Sequence, residues 1–100
     1  MLRFLLTAAL AVFATPGVAQ SEKEVSCGYQ AEVARAIQQA RLDRVRERKV
    51  EEKILAGTPT WPDNYNRAIP LMVPWVYELP MKQVRDHDLG DAWNELCLKQ

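Results

Sequence analysis

The two cysteines of this 100-residue chain, Cys27 and Cys97, constrain its fold more than any other feature. They lie roughly 70 residues apart, so a bond between them would close most of the chain into one loop. In the loop-entropy model such a crosslink stabilises the folded state by about 4 kcal/mol. Because a hydrophobic core of this size supplies little more than that by itself, the folding of the chain depends on whether the cysteines are joined.

The first 19 residues have the three-part layout of a secretory signal peptide. Arg3 makes the start positive, residues 4–14 are apolar apart from one threonine, and a proline followed by small residues ends the run. We expect cleavage after Ala19, which leaves residues 20–100 as a single small domain. A retained membrane anchor is the alternative, but the apolar run is about half of the roughly 20 residues that a spanning helix needs.

An export signal of this kind predicts that the mature chain is periplasmic or secreted, and thiols are oxidised in both places. Two cysteines in a small exported chain therefore predict a disulfide between Cys27 and Cys97. An intermolecular disulfide is the main alternative. Redox motifs and haem attachment require C-x-x-C spacing, which the sequence lacks, and a zinc site needs more ligands than two cysteines and one distant histidine.

Residues 24–56 contain no proline and are rich in strong helix formers, which predicts one long first helix. Apolar residues recur at helical spacing along its first half and then shift phase. We therefore expect a bend or a short break within residues 42–49. Ser26 is expected to cap the start of the helix, and Gly57, which is followed by a proline two residues later, is expected to end it.

Five prolines punctuate residues 58–80, so only short helices are expected there. Thr60-x-x-Asp63 has the spacing of a capping box and favours a short helix over about residues 61–68. Ile69-Pro70 is expected to break or redirect that helix, and a further short helix is expected between Pro70 and Leu79.

Asp88-x-x-Asp91 predicts the acidic start of a closing helix that carries Cys97 back to the first helix. The predicted fold is therefore all-α. It is a small helical domain with one long, bent first helix and two or three short helices, closed by a disulfide.

The sequence offers little for catalysis or for nucleic-acid binding. Thirteen basic and thirteen acidic residues cancel, whereas nucleic-acid binders usually carry a basic excess. His87 is the only histidine, and the two aspartates beside it in sequence do not make a triad by themselves. We expect a protein that is not an enzyme and that has no metal, no cofactor and no stable membrane insertion.

Large aromatic side chains within residues 58–80 provide the most suggestive surface. Trp, Tyr and Met are frequent anchors at protein interfaces, so we expect the protein to bind another exported or envelope protein. The alternative is that the rings form the core, since residues 20–100 contain no phenylalanine. The candidate partner-binding residues are Trp61, Tyr65, Trp75 and Tyr77.

Residues 41–53 form a charge-dense stretch of six basic and four acidic residues. A solvated helix face is one interpretation of it, and a docking surface for a polyanion or the envelope surface is the other. The interleaved acids weaken the second interpretation because they cancel the field that polyanions follow. The candidate basic surface comprises Arg41, Arg44, Arg48 and Lys49.

A stress-responsive holdase chaperone is a further alternative. Such a protein would expose apolar surface when conditions change, and His87 with its acidic neighbours could sense pH because histidine titrates near neutrality.

Overall fold

Seven helical segments build the part of the chain that the computed structural model describes, residues 21–100, and no strand occurs in that range. The predicted signal peptide, residues 1–19, lies outside the described residues. The predicted all-α fold is confirmed. The α-helices are α1 (Glu22–Leu42), α2 (Val50–Ala56), α3 (Ala68–Glu78), α4 (Met81–Asp86) and α5 (Leu89–Leu98), with 3₁₀ turns at Glu47–Lys49 and Asp63–Arg67.

Helix α1 begins earlier than predicted, and its cap is Ser21 instead of Ser26. The Ser21 hydroxyl accepts a hydrogen bond from the backbone N–H of Glu24 at 3.1 Å. Glu22 and Glu24 fill the first turn, where negative charge is favourable beside the unpaired N–H groups. Ser26 lies inside the helix and accepts a hydrogen bond from the side chain of Gln30 at 3.2 Å.

The predicted break within residues 42–49 is confirmed. Helix α1 ends at Leu42, and the N–H of Val45 donates back to the carbonyl of Ala40 at 2.9 Å. The N–H of Arg44 donates to the carbonyl of Arg41 at 3.0 Å, and Arg44 has a φ of 64°. This is the Schellman arrangement of a helix end, in which the left-handed position is usually a glycine.

Arg44→Gly is expected to raise the free energy of unfolding by about 0.5–1 kcal/mol. The left-handed backbone costs a side-chain-bearing residue about 1–2 kcal/mol, and the greater freedom of glycine in the unfolded chain offsets part of that gain. Urea unfolding followed by circular dichroism measures the change. Arg46→Gly is the matched control, because Arg46 has an ordinary φ of −65° and its replacement should lower stability. Equal effects of the two variants would contradict the interpretation.

Gly57 ends α2, as predicted, but the next segments differ from the prediction. The expected helix over residues 61–68 is a 3₁₀ turn, Asp63–Arg67, and no side chain caps its start. Helix α3 then runs through Pro70 instead of breaking there. Pro70 lies in its first turn, where the missing N–H would have had no helical partner.

Helix α1 is the centre of the domain, because both α3 and α5 pack along it. Cys27 and Cys97 form the predicted intramolecular disulfide, with Cα atoms 5.6 Å apart, and it fastens the start of α1 to the end of α5. Asp88 caps α5 by accepting from the N–H of Asp91, also as predicted. The largest side chains that are almost fully buried are Ile37, Ile69, Met72, Val33, Val50, Val76 and Val84.

Candidate functional site

Trp61 was a candidate binding residue, but it lies in the core with 7% of its surface exposed. Its indole N–H donates to the side-chain oxygen of Asn66 at 2.8 Å, so the one polar group of the ring is satisfied within the domain. Because residues 21–100 contain no phenylalanine, the largest ring available there fills the core. The prediction that Trp61 binds a partner is therefore corrected.

The other three rings are half-buried and do not share one exposed surface. Tyr65 packs on Tyr29 with ring centres 5.2 Å apart, and Trp75 packs on Trp93 with ring centres 5.4 Å apart. The hydroxyl of Tyr77 donates to the carbonyl of Val45 at 2.5 Å, and burial raises its pKa. These rings mainly join separate segments of the fold.

Arg41 does not belong to the predicted basic surface, because its side chain turns inward. The guanidinium donates to the carbonyl of Val76 and, at 2.6 Å, to the carbonyl of Leu79. It also lies over the ring of Tyr77, 5.6 Å from its centre. The last carbonyls of a helix have no helical N–H partner, and Arg41 supplies donors at the end of α3.

The remaining members of that candidate surface, Arg44, Arg48 and Lys49, are exposed. Within the described residues, only Lys49 of these three forms an ion pair, with Glu52 at 3.6 Å.

The outward face of α3 carries the most exposed large apolar side chain of the described residues. Leu71 is 77% exposed, and Pro70 and Pro74 beside it are exposed as well. No charged residue occurs within residues 68–77, so the helix is apolar on its outer side as well as its inner side. The charge-free run is the feature of the sequence that points to this surface. The large aromatic residues nearby are a more conspicuous feature of the same segment.

A cleft of about 690 Å³ lies between this helix and the segment that follows the break. Apolar side chains of α3 line one side and charged side chains of both signs line the other. We call this cleft together with exposed Leu71 the α3 surface. The cleft is lined by Arg46, Glu47, Arg48, Glu51, Pro70, Val73 and Pro74.

A polar network that the sequence did not reveal joins α1 to the start of α5. The Nε of Arg35 lies 3.0 Å from an Asp88 carboxylate oxygen, and an Nη lies 2.7 Å from Asp91. Gly90 makes this approach possible, since a Cβ there would lie 2.5 Å from the Arg35 side chain. Residues of opposite charge are too common in the chain for spacing alone to have identified this pair.

Gln38 connects the same region through three hydrogen bonds. Its side-chain amide donates to the carbonyls of Val84 and His87, both at 2.6 Å, and accepts from the N–H of Leu89 at 3.0 Å. His87 itself is exposed at the end of α4. Across residues 21–100, no three His, Cys, Asp or Glu side chains converge as a metal site would require.

Acid is expected to weaken the Arg35–Asp88 contact and to lower stability. The N–H of Asp91 is the main cause that lowers the pKa of Asp88, and Arg35 adds to it. The Asp88 carboxylate therefore binds a proton less readily in the folded state than in the unfolded chain. The stabilisation that ionised Asp88 gives to the fold is present above the unfolded pKa of about 3.9, and it is lost as the pH falls through the lower pKa of the folded state.

Asp88→Asn is expected to reduce this loss of stability between pH 5 and pH 2, because asparagine keeps the cap without the titrating charge. At neutral pH the substitution should lower the free energy of unfolding by about 0.5 kcal/mol, because exposed ion pairs contribute little. Thermal unfolding at several pH values measures both effects. Asp86→Asn is the control, and a pH profile identical in the two variants would contradict the assignment to Asp88.

No protein-family model matches the chain, and comparison with curated proteins and with solved structures found no match. None of the helices within residues 21–100 combines the length and the apolar character that crossing a membrane requires. The α3 surface is therefore the candidate functional site on its own geometry.

Proposed function

We propose that the mature chain is a small exported, non-enzymatic protein that acts by binding another exported or envelope protein through the α3 surface. The observation that carries the proposal is the exposure of Leu71, 77%, beside a cleft that is apolar on its α3 side. Exposed apolar surface with a polar rim is typical of protein interaction sites. Full burial of one leucine side chain on binding contributes about 1.5–3 kcal/mol.

The charges around the cleft favour a protein over a polyanion as the partner. Arg46 and Arg48 alternate with Glu47, and Glu51 lies on the same rim. A polyanion or an anionic lipid surface presents one sign only and would meet carboxylates here. Because Arg41 is also committed to the end of α3, the basic surface is smaller than its sequence suggests.

Site-specific crosslinking tests the proposal in the cell that exports the protein. A photoreactive residue at position 71 is compared with one at position 96, where Leu96 is also exposed, 54%, but on α5. We expect position 71 alone to capture a defined protein. Equal capture at both positions would argue against a specific surface.

Substitution then tests the same surface with the purified partner. Leu71→Asp is expected to weaken binding at least tenfold, roughly the value of half a buried leucine side chain, while Leu96→Asp leaves it unchanged. Circular dichroism checks that both variants stay folded. Unchanged affinity of Leu71→Asp would refute the α3 surface as the binding site.

A stress-responsive holdase is the second candidate, and the contact of Arg35 with Asp88 and Asp91 supports it. Protonation of Asp88 weakens its contact with Arg35, which is one of the links between α1 and the start of α5. Light scattering from an aggregating client at neutral and low pH tests this role. Suppression at low pH only is expected, and no suppression at either pH rules it out.

A further inference from the structure

We infer that, when no partner is bound, the α3 surface is covered by the α3 surface of a second copy of this chain, in a weak twofold dimer. The inference rests on the proposed function in that both use the same surface. Dimer formation would then compete with partner binding. The dissociation constant of the dimer would set the protein concentration below which the surface is free.

The apolar part of the surface contains both halves of a self-complementary contact. Leu71 projects from α3 with 77% of its surface exposed, and a cleft walled by Pro70, Val73 and Pro74 lies next to it. In a twofold contact the same patch occurs on both copies, so a projection and a recess on one patch serve each other. Leu71 of each copy can therefore fill the cleft of the other.

The charged rim is self-complementary in the same way. Arg46 and Arg48 supply two cations, and Glu47 and Glu51 supply two anions. Within the described residues none of these four side chains forms an ion pair, so all four are available to another molecule. Because the rim carries both signs, the cations of one copy can pair with the anions of the other, and the reverse.

The size of the patch makes the dimer weak. One projecting leucine and two prolines per copy form a small apolar centre, and exposed ion pairs add little. Small interfaces of this kind are typical of transient association, with dissociation constants of roughly micromolar to millimolar. Dimer formation should therefore depend strongly on protein concentration and leave the α3 surface accessible to a tighter partner.

Sedimentation equilibrium of the oxidised protein, purified after export, tests the inference over a range of concentrations. The wild type is expected to show a reversible monomer–dimer equilibrium. Leu71→Asp is expected to raise the dissociation constant at least tenfold, and Leu96→Asp is expected to leave it unchanged. A wild type that is monomeric at millimolar concentration would overturn the inference, as would a Leu71→Asp variant that dimerises normally.

Charge reversal tests the twofold pairing. Arg46→Glu with Arg48→Glu makes the rim acidic, and Glu47→Arg with Glu51→Arg makes it basic, so each double variant should repel its own copies. An equimolar mixture of the two should form a heterodimer, which restores association. Failure of the mixture to associate, with circular dichroism showing both variants folded, would overturn the pairing.

Two controls separate this inference from other outcomes. Non-reducing electrophoresis must show a monomer, since a disulfide-linked dimer would mean that the association is covalent and the inference is wrong. Crosslinking from position 71 to a different protein would support the proposed function even if the purified chain never dimerises. The two ideas can therefore fail independently.

Discussion

The variant with both Cys27→Ala and Cys97→Ala is expected to lose about 4 kcal/mol of unfolding free energy relative to the oxidised protein. The disulfide closes a loop whose cysteines are 70 residues apart, and opening it returns that loop entropy to the unfolded chain. A loss of this size is a large share of the stability of a domain this small. Urea unfolding monitored by circular dichroism measures it directly.

Reduction of the wild type provides the control for this experiment. The reduced protein and the double variant should unfold at nearly the same urea concentration, because both lack the crosslink. A double variant that is much less stable than the reduced protein would indicate lost packing around Cys27, which is 1% exposed. A change below about 1 kcal/mol in both would contradict the loop-entropy explanation.

Gln38→Ala is expected to have the second largest effect on stability, about 2 kcal/mol. The substitution removes one acceptor and two donated hydrogen bonds from the junction of α4 and α5. The backbone groups left behind belong partly to buried Val84 and Leu89, and an unpaired polar group away from water costs about 1–3 kcal/mol. Unfolding in urea compares the variant with the wild type.

The neighbouring glutamine is a matched control. Gln39 is exposed, and among residues 21–100 its side chain bonds only to Asp43, so Gln39→Ala should change stability by less than about 0.5 kcal/mol. Hydrogen exchange adds a local test. The amide of Leu89 should lose protection in Gln38→Ala and keep it in Gln39→Ala, and equal behaviour in both would rule out a special role for Gln38.

Local signals in the sequence predicted the parts of the fold that depend on nearby residues. The break after Leu42 follows from a shift of apolar phase, the end of α2 from Gly57, and the start of α5 from the Asp88 cap. The disulfide required one more step, because it depends on the oxidising compartment that the predicted export signal implies.

Predictions failed where partners distant in sequence decide the outcome. The charge pattern predicts that Arg41 belongs to a basic surface, yet its partners are carbonyls at the end of α3. Nothing in the sequence of its own helix distinguishes Gln38 from the neighbouring Gln39. Pro70 was expected to interrupt a helix, but the first turn of α3 begins just before it and tolerates it.

The proposed α3 surface lies in the segment that the sequence favours for partner binding, but different side chains are exposed there. Large aromatic residues favour interfaces, but a small domain without phenylalanine needs them for its interior. The exposed side chain is that of Leu71, which nothing in the sequence distinguishes from the other leucines. Its exposure becomes visible only when the orientation of α3 is known.

The position of the disulfide also determines how the domain responds to a mechanical load. Cys27 and Cys97 lie close to the two ends of the described helices, so a force applied to the chain on either side of them passes through the sulfur–sulfur bond. The helices between the cysteines then carry almost none of the tension. A chain that is held at one end and pulled at the other therefore keeps the α3 surface in shape under tension.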